Sequence, residues 1–263
     1  MPAMPMPLSS NIVSLRRWRM AGAHLAISFL VAALAAGVIF LLWFPAPFSD
    51  LAGGTDLFIL LMTVDVVAGP ALTFVAASPV KPRSELRRDL AVIALLQLGA
   101  LGYGMYVVSQ ARPVLVSFEV DRFRLVSAAE IDAASLEEAP AGMRTLSWSG
   151  PRQIAAVKPT DSDQAFRSLQ LGMAGIDLSM DPRNWRPYQA QAEVAWRAAV
   201  PLQRVLDRYP TANREADRIS RSAALPISAL RCLPLQARQT IWVAVLAEPG
   251  ARIVGYLPVD GFL

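Results

Sequence analysis

Residues 25–44 read LAISFLVAALAAGVIFLLWF, twenty positions without a charge. At 1.5 Å rise per residue this run crosses about 30 Å of hydrocarbon, the thickness of a bilayer core. Its ends are marked by Arg16, Arg17 and Arg19 before it and by Trp43 and Pro45 at its close. Two more runs follow. Residues 57–78 (LFILLMTVDVVAGPALTFVAAS) are interrupted by Asp65 and by the pair Gly69-Pro70, and residues 90–109 (LAVIALLQLGALGYGMYVVS) follow the charged loop KPRSELRRD. The apolar core of a cleaved signal peptide spans about 7–15 residues. The first run exceeds that and two spans come after it, so it reads as a retained helix.

The composition divides at the end of the third run. The 263 residues are 54% hydrophobic and 17% charged, against about 45–50% and about 25% in a soluble domain. Residues 1–110 hold 7 Lys/Arg and 5 Asp/Glu, whereas 111–263 hold 18 and 16. A single soluble enzyme domain is thereby excluded. The expected organisation is an N-terminal tail (1–20), a three-helix membrane region (21–110) and a globular domain (111–263). Short loops rich in Lys and Arg stay cytoplasmic. Three Arg precede the first span, none lies between Pro45 and Asp56, and Lys81, Arg83, Arg87 and Arg88 lie between Pro79 and Asp89. This asymmetry places the N-terminus inside and the globular domain outside, in the periplasm of a bacterium, with the loop of Asp50 and Asp56 on the same side.

Asp65 is the residue that the membrane reading must explain, because an ionisable side chain near mid-span costs about 2.5–3.5 kcal/mol on insertion scales. Gln97 and Tyr103 on the third helix are its expected hydrogen-bond partners, and an internal polar clamp is favoured over a proton or ion site or a polar latch to another membrane protein. Gly69 and Pro70 free a backbone carbonyl and permit a kink. Gly102 and Gly104, with Gly99 and Ala100, give the third helix a small-residue face for close packing. The same face could receive the helix of a partner.

Beyond residue 113 the pattern turns to short β-prone runs. VLVSFEV and FRLV flank Asp121-Arg122, RQIAAVK spans residues 152–158, and QTIWVAVL with RIVGYL forms a hairpin around Glu248-Pro249-Gly250. Ser127 and Glu130 are spaced as a capping box opening a helix to about residue 138. Asp161 caps a helix bearing Ala165, Phe166, Leu169 and Leu171, residues 181–187 form a loop holding Trp185, and residues 188–209 are helical with a break at Pro201. An α+β domain with an antiparallel sheet is expected.

This domain offers no chemistry by motif. The single histidine, His24, opens the first span, and the single cysteine, Cys232, rules out an internal disulfide. No P-loop, dinucleotide fingerprint or calcium loop occurs. The basic residues are interleaved with acids, which argues against nucleic acid. A membrane aspartyl hydrolase would need paired aspartates, and only Asp65 lies in a span. No catalytic residue, cofactor or metal is expected.

The runs around His24-Leu25 and Trp43-Phe44-Pro45, the sequence VDVVAGPALT (64–73), DLAVIALLQ (89–97), Arg112-Pro113 and the ending GYLPVDGF (255–262) resemble the TfpX/TfpZ (FimB-like) family of type IV pilin accessory proteins. The resemblance covers nearly the whole chain and is densest from about 20 to 130. It implies a non-enzymatic inner-membrane protein that aids or modulates assembly of a cognate type IV major pilin, with other pilus assembly proteins and the lipid bilayer as further partners. The family brings no catalytic residues with it. The competing reading is a membrane-tethered periplasmic ligand-binding or sensor protein, for which the cytoplasmic segments are too short to hold an output domain.

Overall fold

The computed structural model describes residues 10–77 and 81–262; the start of the N-terminal tail and the end of the second apolar run at Ser78 lie outside the described residues. The chain forms two compact units. One comprises residues 1–41 and 55–109, the other residues 42–54 and 110–263.

In chain order the helices begin with α1 (Ser10–Gly37), which widens into a π-type turn (Val38–Trp43), and α2 (Phe48–Leu51). The second apolar helix is α3 (Gly54–Thr63), a π-type turn (Val64–Ala68) and α4 (Gly69–Ala76); the third is α5 (Arg83–Ala111). Among the described residues three helices are long and apolar enough to cross a membrane: Arg17–Trp43, Gly54–Ala76 and Arg83–Ala111. The first and second pack through ring pairs at both ends, Trp18 with Phe74 (centroids 5.0 Å apart) and Phe40 with Phe58 (5.1 Å). Ala32, Ala35 and Met62 are buried between these ends. The third meets the second where Gly104 admits the tip of Leu61.

The second unit is built on one eight-stranded sheet. Its strands are β1 (Pro113–Glu119), β2 (Arg122–Ser127), β3 (Arg152–Ala156), β4 (Trp185–Pro187), β5 (Val200–Pro201), β6 (Arg231–Gln236), β7 (Ile241–Ala247) and β8 (Arg252–Leu257). The order is β4-β3-β1-β2-β6-β7-β8, with β5 against β6. The sheet is mixed, which corrects the antiparallel expectation: β1 runs parallel to β3, and β2 to β6. The hairpins are antiparallel as their turns require. However, the connection after β2 returns to the end where β1 began, so β3 enters beside β1 in the same direction.

Helices α6 (Ser162–Met173), α7 (Ala192–Ala198), α8 (Leu202–Arg208) and α9 (Asn213–Ala223) complete the unit. Residues 128–138 form two 3-10 turns rather than a helix, although the capping box of Ser127 and Glu130 is present. The stretch 188–209 is divided into a 3-10 turn, α7, β5 and α8.

Residues 42–54 are part of this unit's core rather than a plain loop between spans. Phe48 and Leu51 are buried with Val116, Phe123 and Leu235, and Phe48 meets the Tyr256 ring edge-on at 5.6 Å. Gly150 N donates to Leu42 O (2.8 Å), and Thr240 Oγ1 donates to Leu51 O (2.9 Å).

Candidate functional site

Four polar residues of the apolar helices, His24, Asp65, Thr73 and Gln97, gather about one glycine, Gly69. Asp65, Gly69 and Thr73 are spaced by four and therefore share a face of the second helix. Gln97 Nε2, from the third helix, donates to Asp65 Oδ1 at 2.9 Å and to the Asp65 carbonyl at 3.3 Å. That carbonyl lies in the π-type turn, where the N–H five residues on would normally use it. Residue 70 is proline and has no N–H, so the orphaned carbonyl takes the glutamine amide instead. From the first helix, His24 Nδ1 and Thr73 Oγ1 share a hydrogen bond of 2.5 Å, with Thr73 buried. A Cβ on Gly69 would overlap Gln97 Nε2 and lie 2.9 Å from His24 Nε2. Glycine here lets all three helices meet.

The sequence-derived residues thus separate. Asp65, Gly69, Pro70 and Gln97 are brought together. Gly104 packs against Leu61, whereas a Cβ on Gly102 would meet nothing within 4 Å. Tyr103 makes no hydrogen bond to Asp65; its ring is 70% exposed on the wall of a furrow of about 420 Å³ between the second and third helices, which Asp65 and Gln97 also line. His24 and Thr73 escaped the sequence reading. The four-residue spacing from Asp65 through Gly69 to Thr73, with the lone histidine on a neighbouring helix, was the signal available.

Were the second helix to cross a bilayer, this arrangement would balance the energetics of Asp65 only in part. Interhelical hydrogen bonds in a membrane protein average about 0.6 kcal/mol and reach about 1.7, while a mid-span acid costs about 2.5–3.5 kcal/mol. Gln97 offsets part of that cost.

The second unit has its own polar and apolar features. Glu119, at the end of β1, is buried and accepts a 2.7 Å hydrogen bond from Ser179 N. Burial is the main cause that holds its carboxyl above the ordinary glutamate value. Arg124, also buried, pairs with Glu130 (3.2 Å) and Asp177 (2.8 Å). Trp185 Nε1 donates to Ser179 O, and Tyr188 Oη donates to Ala251 O, both at 2.7 Å. These two aromatics are core residues. Glu119, Arg122, Lys158 and Asp177 line an open cavity of about 330 Å³, against which α6 turns Ser168 and Leu171. The other face of α6 carries Phe166, Leu169 and Met173, all exposed; no residue of this helix is buried. Since β1 starts at the end of α5 and β3 runs parallel to it, the helix that follows β3 lies at the far end of the sheet from that junction. Seven residues of β1 at about 3.3 Å each separate the two ends by roughly 20 Å.

The model of the fimbrial assembly protein FimB family matches residues 14–53, the first apolar helix and the segment that enters the second unit. The fimbrial assembly protein of serogroup I from Dichelobacter nodosus is 31% identical over 245 residues, 93% of this chain and 95% of that protein. The chain belongs to the FimB fimbrial assembly protein family. Another FimB-family relative, the serogroup E1 protein of the same organism, is 29% identical over the same shares. The protein of serogroups C1 and C2 is 41% identical over 121 residues, 46% of this chain and 92% of that one. No solved structure matches this FimB-family chain.

Proposed function

We propose that this FimB-family protein sits in the bacterial inner membrane, binds a cognate type IV pilin and aids or modulates its assembly into pili without catalysing a reaction. The observation that carries this reading is the match, over nearly the full length, to proteins named for fimbrial assembly. The build of the chain supports it. A pilin held by an apolar helix with its globular head outside needs a helper with surfaces at both depths, and this chain has an apolar helical unit and a large second unit. The helical unit receives the pilin helix, and the exposed stripe of Phe166, Leu169 and Met173 receives the head.

The orientation proposed has the N-terminus in the cytoplasm and the domain in the periplasm. It draws on the basic residues of the loop at 81–88 and the absence of any between 45 and 56. Residues 42–54 and 110–263 form one unit, which supports placing both on one side of the bilayer. The test is chemical crosslinking of the protein to its cognate pilin in piliated cells, with pili counted in cells lacking the protein. Pilin adducts and a loss of pili are expected. Unchanged pili with no adduct above background overturn the reading. The cavity of about 330 Å³ favours one alternative, a membrane-tethered ligand-binding protein, which predicts a small molecule bound there and no pilin adduct.

A further inference from the structure

We infer that the furrow between the second and third apolar helices seats one transmembrane helix of a fimbrial partner, and that this helix brings a hydrogen-bond donor to the level of Asp65. The inference rests on the function proposed above and names the contact surface and its chemistry. From Leu57 to Leu72 the second helix lines the furrow with one face, a rise of roughly 22 Å at 1.5 Å per residue, enough for four turns of a partner helix.

The polar residues that line the furrow determine what fills it. Gln97 Nε2 directs its hydrogens to Asp65 O and Oδ1, which fixes the orientation of the amide and leaves Gln97 Oε1 as an acceptor. Neither Gln97 Oε1 nor Asp65 Oδ2 meets a donor among the described residues. Asp65 and Gln97, each with one oxygen that meets no donor, thus line the furrow beside Leu60, Val64, Leu96 and their neighbours. Lipid acyl chains cover the walls but have no N–H or O–H to give. A helix carrying a group that donates and cannot accept, an ammonium, guanidinium or indole N–H, meets them. A second copy of this chain is a poor fit, because pairing furrow to furrow about a two-fold axis sets the same surface against itself and so acceptor against acceptor.

Site-specific photocrosslinking of the full-length protein in cells making the cognate pilin tests this. Benzoyl-phenylalanine is placed at Leu60 or Leu96 in the furrow, at Leu34 outside it, and at Leu169 on α6, all exposed positions. Adducts from Leu60 and Leu96, but not Leu34, are expected to contain the apolar helix of the pilin by mass spectrometry. The Asp65→Asn variant keeps an oxygen for Gln97 and turns an NH₂ toward the furrow. At an unchanged protein level it is expected to lower the furrow adduct about tenfold, the loss of one such bond. The inference is overturned if the furrow positions yield only a dimer of this chain, if they yield no protein adduct, or if Asp65→Asn leaves the adduct intact. A pilin adduct from Leu169 with none from the furrow removes the furrow and keeps the proposed function. Absence of pilin adducts at every position removes both.

Discussion

Replacing Gly69 by leucine tests the convergence of the three helices. The first atom of the new side chain would overlap Gln97 Nε2 and lie 2.9 Å from both Gln97 Cδ and His24 Nε2. Gln97 is flexible and can swing aside, but only by giving up both hydrogen bonds to Asp65. At about 0.6–1.7 kcal/mol each, that loss is about 1–3 kcal/mol. Fitting the rest of the leucine beside the His24 ring adds about 1–3 kcal/mol of overpacking. The gain from removing a helical glycine is about 1 kcal/mol, so a net loss of about 1–5 kcal/mol is expected. Gly102→Leu is the control, because nothing lies within 4 Å of its Cβ position, and it should be neutral or slightly stabilising. Reversible unfolding of the full-length protein in mixed micelles, by titration with dodecyl sulfate and circular dichroism at 222 nm, reads both variants. In a Gln97→Ala background the Gly69→Leu cost should shrink by about 1 kcal/mol, the coupling of neighbours in contact. Equal stability of the two leucine variants, or additivity with Gln97→Ala, would refute the reasoning.

Three further outcomes follow for the second unit. Because burial raises the Glu119 carboxyl above 4.5, the folded chain holds that proton more tightly than the unfolded one, and stability is lost as pH rises from the ordinary value through the folded one. Glu119→Gln should therefore match the parent near pH 4 and exceed it at pH 8 in urea titrations; a stability difference independent of pH would contradict this. Burial pushes the Cys232 thiol up to about 12, so maleimide labelling at pH 8 should be negligible until denaturant is added, and rapid labelling of the native protein would contradict it. Trp185→Ala, at a fully buried site with a hydrogen bond to Ser179 O, should cost about 3–5 kcal/mol in denaturant titration, and a cost below about 1 kcal/mol would place Trp185 outside the core.

The apolar helices were legible because length and absence of charge are properties of a run, read without knowing its neighbours. The same holds for the capping box of Ser127 and Glu130 and for the hairpin around Gly250. Partner choice between strands was not legible, because alternation along β1 or β3 carries no sign of which strand lies beside it; hence the two parallel pairs went unread. Strand β6 was missed because Pro234 sits inside it, and proline interrupts a ladder. The structure tolerates it because on the side away from β7, β6 pairs only with β5 at Arg231 and Cys232 and with β2 at Leu235 and Gln236. Pro234 falls in the gap between them. Trp185–Pro187 read as a loop for a similar reason, as three residues ending in a proline carry no period. In the helical unit the sequence placed Asp65 and Gln97 within reach by depth alone, yet depth could not separate Gln97 from Tyr103. That choice depends on rotation of the third helix, which the contacts at Gly69 and Gly104 set.

The central claim, a three-span anchor that presents its large unit to the exported subunit, is tested most directly by paired reporters fused after residue 263. Alkaline phosphatase, which folds only outside the cytoplasm, should be active there, and green fluorescent protein, exported unfolded, should stay dark. A fluorescent fusion with an inactive phosphatase would put the domain in the cytoplasm, out of reach of an exported pilin head, and would contradict the account.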